Sequence, residues 1–143
     1  MDNRFLRCLD EGKLKKIPIQ ADLVQKELDG AKSDLAWAEK SGSDGNPKWA
    51  IVQAYYSMFH SAKALVLSKG YAEKSHFCLL IAFKALFVDS GLTEKKYSDW
   101  LRDSMALRHD ADYGLTYSSD SAGEAVSWAR EFFTMAKKLV SKK

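Results

Sequence analysis

The sequence predicts an all-α fold, an antiparallel up-and-down bundle of four to five helices. Three observations carry this expectation. Apolar residues return at three- and four-residue steps through most of the chain, which lines one face of a helix. No segment alternates apolar and polar residues with period two over a strand's length. The two prolines, Pro18 and Pro47, both stand outside the interior of the periodic segments, so no proline breaks a helix from within. A chain of 143 residues is long enough for one domain with its own core.

Residues 3–15 read as a short helix that stops before "IPIQ", because a residue preceding proline avoids the helical region. This divides the chain into an N-terminal helix and linker, residues 1–18, and a bundle domain, residues 19–143. Over residues 21–40, Leu23, Val24, Leu28, Ala31, Leu35 and Ala38 mark one helical face. Gly30 weakens that helix by about 1 kcal/mol relative to alanine, and packing has to offset it. "SGSDGN", residues 41–46, is a loop by composition.

Asn46 then reads as an N-cap with Pro47 at the first helical position. The helix it opens is expected to reach residue 69, with Trp49, Val52, Tyr55, Tyr56, Phe59, Ala62, Val66 and Leu67 on its apolar face. Gly70 supplies the left-handed residue that ends it. Ser75 caps a helix over residues 76–89, and "FCLLIAFKALFV" lacks a polar side, which predicts the most buried helix of the fold. Thr93 and Glu94 begin a helix that runs to residue 113, with Gly114 as its stop signal. After "LTYSS", a last helix over residues 120–140 turns Ala122, Ala125, Val126, Ala129, Phe132, Phe133, Ala136 and Val140 inward. Lys137, Lys138, Lys142 and Lys143 crowd its C-terminal end, where the helix dipole favours cations.

Composition narrows the function classes. With 46% hydrophobic and 29% charged residues, the chain is an ordinary soluble globular one. A net charge of +3 is too small to imply nucleic-acid binding by itself. Cys8 and Cys78 have no metal-ligand spacing, and Cys78 reads as a small buried hydrophobe. A lone pair of cysteines makes no disulfide framework, so a reducing cytoplasm is the simplest setting. "MDNRFLRCLDEGKLKK" is charged throughout and is no signal peptide. The longest strongly apolar run, residues 77–83, is too short to span a bilayer. No zinc spacing and no glycine-rich phosphate loop occurs, so neither metal nor cofactor is expected.

The stretch that calls for chemistry is "RHDADYG", residues 108–114. A helical projection gathers Tyr97, Trp100, Leu101, Ser104, Leu107 and Ala111 on one side, with Arg108 in their midst and Asp112 one turn on. Arg102, His109 and Tyr113 fall on the opposite side. A charge on an apolar face needs a carboxylate partner, a cleft or an interface. Arg108 and Asp112 therefore make either a structural pair at i,i+4 spacing or part of a site, and structural pairs are the commoner case. A second group, "AYYSMFHSAKAL", sets Tyr55, Tyr56 and Phe59 at core spacing and His60 one turn after Tyr56. A lone histidine there is more often a packing residue than a ligand. His76, beside Ser75, either caps a helix start or meets an anion there.

"AYYSMFHSAKALVLSKGYAEKSH", followed some thirty residues later by "LRHDADYG", resembles the HEPN domain (higher eukaryotes and prokaryotes nucleotide-binding), in its small stand-alone prokaryotic form. The resemblance covers roughly residues 20–140 and the "EGKLKKI" lead-in. It implies a helical bundle that dimerises. In RNase members of the family an arginine, a polar residue and, a few residues on, a histidine meet their copies across the dimer and cleave RNA without metal. Carried onto this chain, the arginine is Arg108, the polar residue is His109, and the histidine position holds Tyr113. His109 alone, or Arg102 with His109 in a shifted register, would have to stand in. A tyrosine with a pKa of about 10 exchanges protons poorly near neutral pH.

The resemblance thus implies a nucleotide- or RNA-binding module first. Arg108 and Tyr113 would make its contacts, with Arg102, Asp112 and His60 around them, in a homodimer that has a small nucleotidyltransferase as a possible antitoxin partner. The alternative is a toxin RNase with Arg108, His109 and Tyr113 as catalytic residues. In a third, purely structural reading the stretch only fixes a helix end and a dimer interface. Within one intact helix Tyr113 stands roughly 140° round from Arg108. Fraying at Gly114, or a dimer axis, would be needed to bring the two into one groove.

Overall fold

A short helix opens the chain because Asp2 caps it: its side chain accepts from the Arg4 backbone N–H at 2.7 Å. This helix, α1 (Asn3–Asp10), turns Phe5 and Cys8 into the core. The computed structural model describes residues 2–141, and Lys142 and Lys143 of the expected C-terminal lysine cluster lie outside the described residues. The expected helix over residues 3–15 ends early. Gly12 takes a left-handed φ of 71°, the Lys13 N–H returns to Cys8 O at 2.9 Å, and the chain reverses.

The next residues form a strand, β1 (Leu14–Lys16), paired antiparallel with β2 (Tyr71–Glu73). Leu14 faces Glu73, Lys15 faces Ala72 and Lys16 faces Tyr71. Gly70, just before β2, combines a φ of 83° with a backbone approach so close that an added Cβ would stand 3.1 Å from Ile17 O. Only glycine meets both demands.

The bundle proper consists of α2 (Ala21–Ser43), α3 (Pro47–Ser68), α5 (Lys95–Tyr113) and α6 (Ser119–Ser141), with the shorter α4 (His76–Phe83) running on into one π turn (Lys84–Val88). All-α architecture is therefore the fold, with one small strand pair added. Helix α2 extends into the expected loop as far as Ser43, and the turn closes through Asn46 N–H to Ser41 O at 2.8 Å. Pro47 opens α3 as expected. Trp49, expected on its inner face, is exposed.

The most buried helix is α3, not the segment over residues 77–88. It packs against α2, α5 and α6, and 15 of its 22 residues are buried, whereas Phe77 is 57% exposed. The serines of α3 make it look amphipathic in sequence, yet they do not keep it at the surface. Ser57 donates to Ala31 O at 2.8 Å across the α2 interface and Ser68 to Leu65 O at 2.6 Å. A hydroxyl satisfied by a backbone carbonyl is cheap to bury.

Cys8 and Cys78 form a disulfide that joins α1 to α4, with Cα atoms 5.9 Å apart. Cys78 is buried as expected, but the two cysteines are cross-linked, which corrects the reading of the lone pair as making no disulfide. The two lie 70 residues apart, and only the fold shows that they meet. Among the described residues, no helix is long and apolar enough to cross a membrane.

Candidate functional site

The C-terminal half of α5 crosses the middle of α3. Leu101, Ser104 and Ala111 are the buried residues of α5, so its inner face carries two small side chains on either side of Arg108. They leave room for the guanidinium to reach α3. Arg108 Nη2 donates to the Tyr56 hydroxyl at 3.0 Å, and the guanidinium carbon lies 5.4 Å from the Tyr56 ring centre and 5.9 Å from that of Tyr55. Planar guanidinium stacks on aromatic faces in this way.

Asp112 supplies the expected counter-charge, with Oδ2 3.1 Å from Arg108 Nε and both side chains 23% exposed. The Nε–H is buried and is not aligned on that carboxylate as a hydrogen bond. Charge attraction holds the pair, and one buried donor of the arginine goes unused. Among the described residues, Nη1 also lacks a hydrogen-bond partner.

A second polar link runs beside the first. The Tyr55 hydroxyl and His76 Nδ1 are 2.8 Å apart, and the His76 ring packs on Phe59 with centroids 4.3 Å apart. Burial pushes the His76 pKa down, and the nearby charges of Arg108, Lys63 and His60 push it further. Burial, with Tyr56 and Glu73 adding to it, raises the Tyr55 phenol well above its ordinary value against the pull of Arg108. Glu73, the last residue of β2, is held above the usual carboxylate range by burial, with Lys63 opposing. One of its oxygens is buried without a partner.

His60 belongs to a bracket on α2. Its Nδ1 is 2.7 Å from Glu27 Oε1 and its Nε2 is 3.8 Å from Asp34 Oδ2. Burial raises the Glu27 carboxyl, but the His60 hydrogen bond with the charges of Lys63, His60 and Lys26 outweighs it and leaves the pKa low. Asp34, half-buried and more distant from the imidazole, is shifted up by burial. Gly30 lies beside the ring, and an added Cβ there would make an ordinary contact 3.9 Å from His60 Cγ. Both nitrogens of His60 thus face α2 carboxylates.

The structure groups Arg108 and Asp112 and keeps the other sequence candidates apart from them. His109 and Tyr113 are exposed and pack on each other, ring centroids 4.9 Å apart. Arg102 is exposed and bound to Asp103 at 3.2 Å and Asp99 at 3.5 Å. Helix α5 stays intact through Tyr113, so fraying does not carry Tyr113 to Arg108 within one chain. Gly114 has φ −93° rather than a left-handed value, and Leu115 takes the left-handed φ of 53° instead. The Asp110 carbonyl accepts from both Gly114 and Thr116 N–H at 3.0 Å.

Tyr55, Tyr56 and His76 are the functional groups that sequence reasoning did not assign to Arg108. The tyrosines repeat at core spacing, which hides their hydroxyls, and His76 lies thirty-odd positions away.

The HEPN domain profile matches residues 24–139 of this chain. A protein of Methanocaldococcus jannaschii named "Putative toxin" is 36% identical over 59% of this chain and 63% of its own length. A UPF0332 protein of Pyrococcus horikoshii is 37% identical over 57% of each chain. A second M. jannaschii "Putative toxin" is 27% identical over 65% of this chain and 63% of its own. The chain thus aligns with about three fifths of the length of these relatives.

Proposed function

This chain belongs to the HEPN domain family, and on that premise we propose that it is a nucleotide- or RNA-binding module that works as a dimer, with a nucleotidyltransferase as its protein partner. The observation that carries the reading is Arg108. A half-buried guanidinium, set over two tyrosines and tied to Asp112 and Tyr56, still keeps its Nη1 donors unused. Arginine in that state meets phosphate with two parallel N–H groups. Tyr113, exposed on the outer side of α5, joins the same groove from the second copy of the dimer.

A second reading, a metal-independent RNase acting as a toxin, is supported by the two relatives that carry the printed name "Putative toxin". In it Arg108 stabilises the charge that develops on phosphorus and His109 handles protons.

One experiment separates the two. Wild type and Arg108→Ala are compared for affinity to single-stranded RNA, for RNA cleavage and for growth arrest on expression. Arg108→Ala should lose RNA binding with its helical circular dichroism unchanged. Arg108→Lys should lose it as well, because an ammonium does not reproduce the planar two-pronged contact. If Arg108→Ala unfolds while Arg108→Lys matches wild type in every assay, Arg108 is a structural ion-pair residue and the binding reading fails. RNA cleavage by wild type, with growth arrest, would select the RNase reading.

A further inference from the structure

We infer that His76 is the second phosphate-gripping group of the Arg108 site, a neutral imidazole whose Nε2–H is fixed by Tyr55 and offered to a phosphoryl oxygen. The inference rests on the phosphate-contacting role proposed above for Arg108, and it assigns that site a residue that the motif does not contain.

The argument is one of hydrogen-bond inventory. Tyr55 is fully buried, and a buried hydroxyl that cannot reach water has to donate to a neighbour. Among the described residues, His76 Nδ1 is its only hydrogen-bond partner, at 2.8 Å. Were Nδ1 to carry the proton, it would donate to the tyrosine oxygen and leave the phenol hydrogen buried without an acceptor. That arrangement costs about 1–3 kcal/mol. The phenol therefore donates, Nδ1 accepts, and the imidazole proton sits on Nε2. The raised pKa of Tyr55 and the lowered pKa of His76 keep both groups neutral, as this assignment requires. Among the described residues, Nε2 has no hydrogen-bond partner.

Arg108 and His76 both approach the Tyr55 ring, and the Arg108 charge is close enough to act on His76. The guanidinium carbon is 5.9 Å from the Tyr55 centroid and the imidazole centroid is 6.0 Å from it, at 30° between planes. Lys63 adds positive charge close enough to act on His76. The Arg108 Nε–H is buried against Asp112, so the groups left for a ligand are the Nη1 donors of Arg108 and the Nε2–H of His76. Donors without a lone pair between them suit the oxygens of a phosphodiester. The same hydrogen bond from Tyr55 occupies the lone pair that a general base would need. His76 therefore holds a phosphate without taking a proton from the ribose hydroxyl beside it.

The test uses the full chain and a short single-stranded RNA oligonucleotide carrying fluorescein. Long-range proton–nitrogen correlation spectra of the labelled wild type read which His76 nitrogen bears the proton. Nε2 is expected, and a proton on Nδ1 overturns the inference. In anisotropy titrations His76→Ala should weaken RNA binding about tenfold or more, the worth of one hydrogen bond to a charged group. His76→Gln, which keeps an N–H at similar reach, should recover most of that loss. Tyr55→Phe should weaken binding because the imidazole proton is no longer pinned. If Arg108→Ala weakens binding and His76→Ala does not, the inference falls and the Arg108 reading stands. If Arg108→Ala binds RNA as wild type does, that reading falls and takes the inference with it.

Discussion

One hydroxyl accepts a hydrogen bond from Arg108, beside the ion pair with Asp112 and the two tyrosine rings. Tyr56 accepts from Nη2 at 3.0 Å, and Tyr56→Phe keeps the ring while removing the acceptor. It should cost on the order of 1 kcal/mol in chemical denaturation and lower RNA affinity together with it. Loss of neither would show that the Asp112 ion pair and the tyrosine rings set the guanidinium without this hydroxyl.

At His76 the readout is pH. Burial and the charges of Arg108, Lys63 and His60 lower its folded pKa, while Tyr55 and Phe59 wall it in. A group with a depressed folded pKa contributes stability that is present above its unfolded value, about 6.5 for histidine, and lost as pH falls through the folded value. Denaturation midpoints should therefore fall between about pH 7.5 and about pH 5.5. His76→Gln should flatten that part of the profile, and an unchanged slope would dismiss His76 as its source.

Much at this scale was legible. An arginine amid apolar positions called for a carboxylate, a cleft or an interface, and the carboxylate of Asp112 is beside it. What stayed hidden were the tyrosine hydroxyls, because an aromatic at helical spacing shows its apolar body in the sequence and not the direction of its polar tip.

Elements were read well where hydrophobic period decided and poorly where non-local pairing did. α6 buries Ala122, Ala125, Val126, Ala129, Phe132, Phe133 and Ala136 as its period requires. The end of α1 was missed, since Leu14–Lys16 becomes a strand only because Tyr71–Glu73 lies beside it. The ranking of α3 and α4 was inverted because the α3 serines are buried with the helix: Ser57 and Ser68 donate to carbonyls, and Ser61 is buried with its hydroxyl unpartnered.

This inversion has a measurable side. Ile81, 4% exposed, should cost on the order of 2–5 kcal/mol as Ile81→Ala. Phe77, 57% exposed, should cost no more than about 0.5 kcal/mol as Phe77→Ala. Equal losses at the two positions would mean that α4 is buried all round after all. In α2, Gly30 has ordinary space for a methyl group, so Gly30→Ala should raise stability by roughly 0.5–1 kcal/mol through helix propensity.

For the molecule as a whole, the helical architecture follows from periodicity alone, while its cross-link does not. Two cysteines with no motif between them look inert until α1 is laid against α4. In the chain-entropy picture, closing a loop of 70 residues stabilises the fold by about 4 kcal/mol. Cys8→Ser with Cys78→Ser should therefore lower stability by roughly 2–4 kcal/mol, and reductant should do the same to wild type. A double variant as stable as the oxidised protein would assign the hold on α1 to Phe5 and the strand pair instead. The proposed dimer is checked by light scattering at tens of micromolar, an ordinary working range for dimers, where a strict monomer would count against it.

The Cys8–Cys78 bond also makes a closed loop of the backbone between them, and that loop contains the whole of α2 and α3. The turn that joins those helices is exposed at Asp44 and Gly45, where a protease meets least obstruction. A single cut there opens the loop but frees neither half. The nicked protein should run as one species without thiol and as two fragments with it.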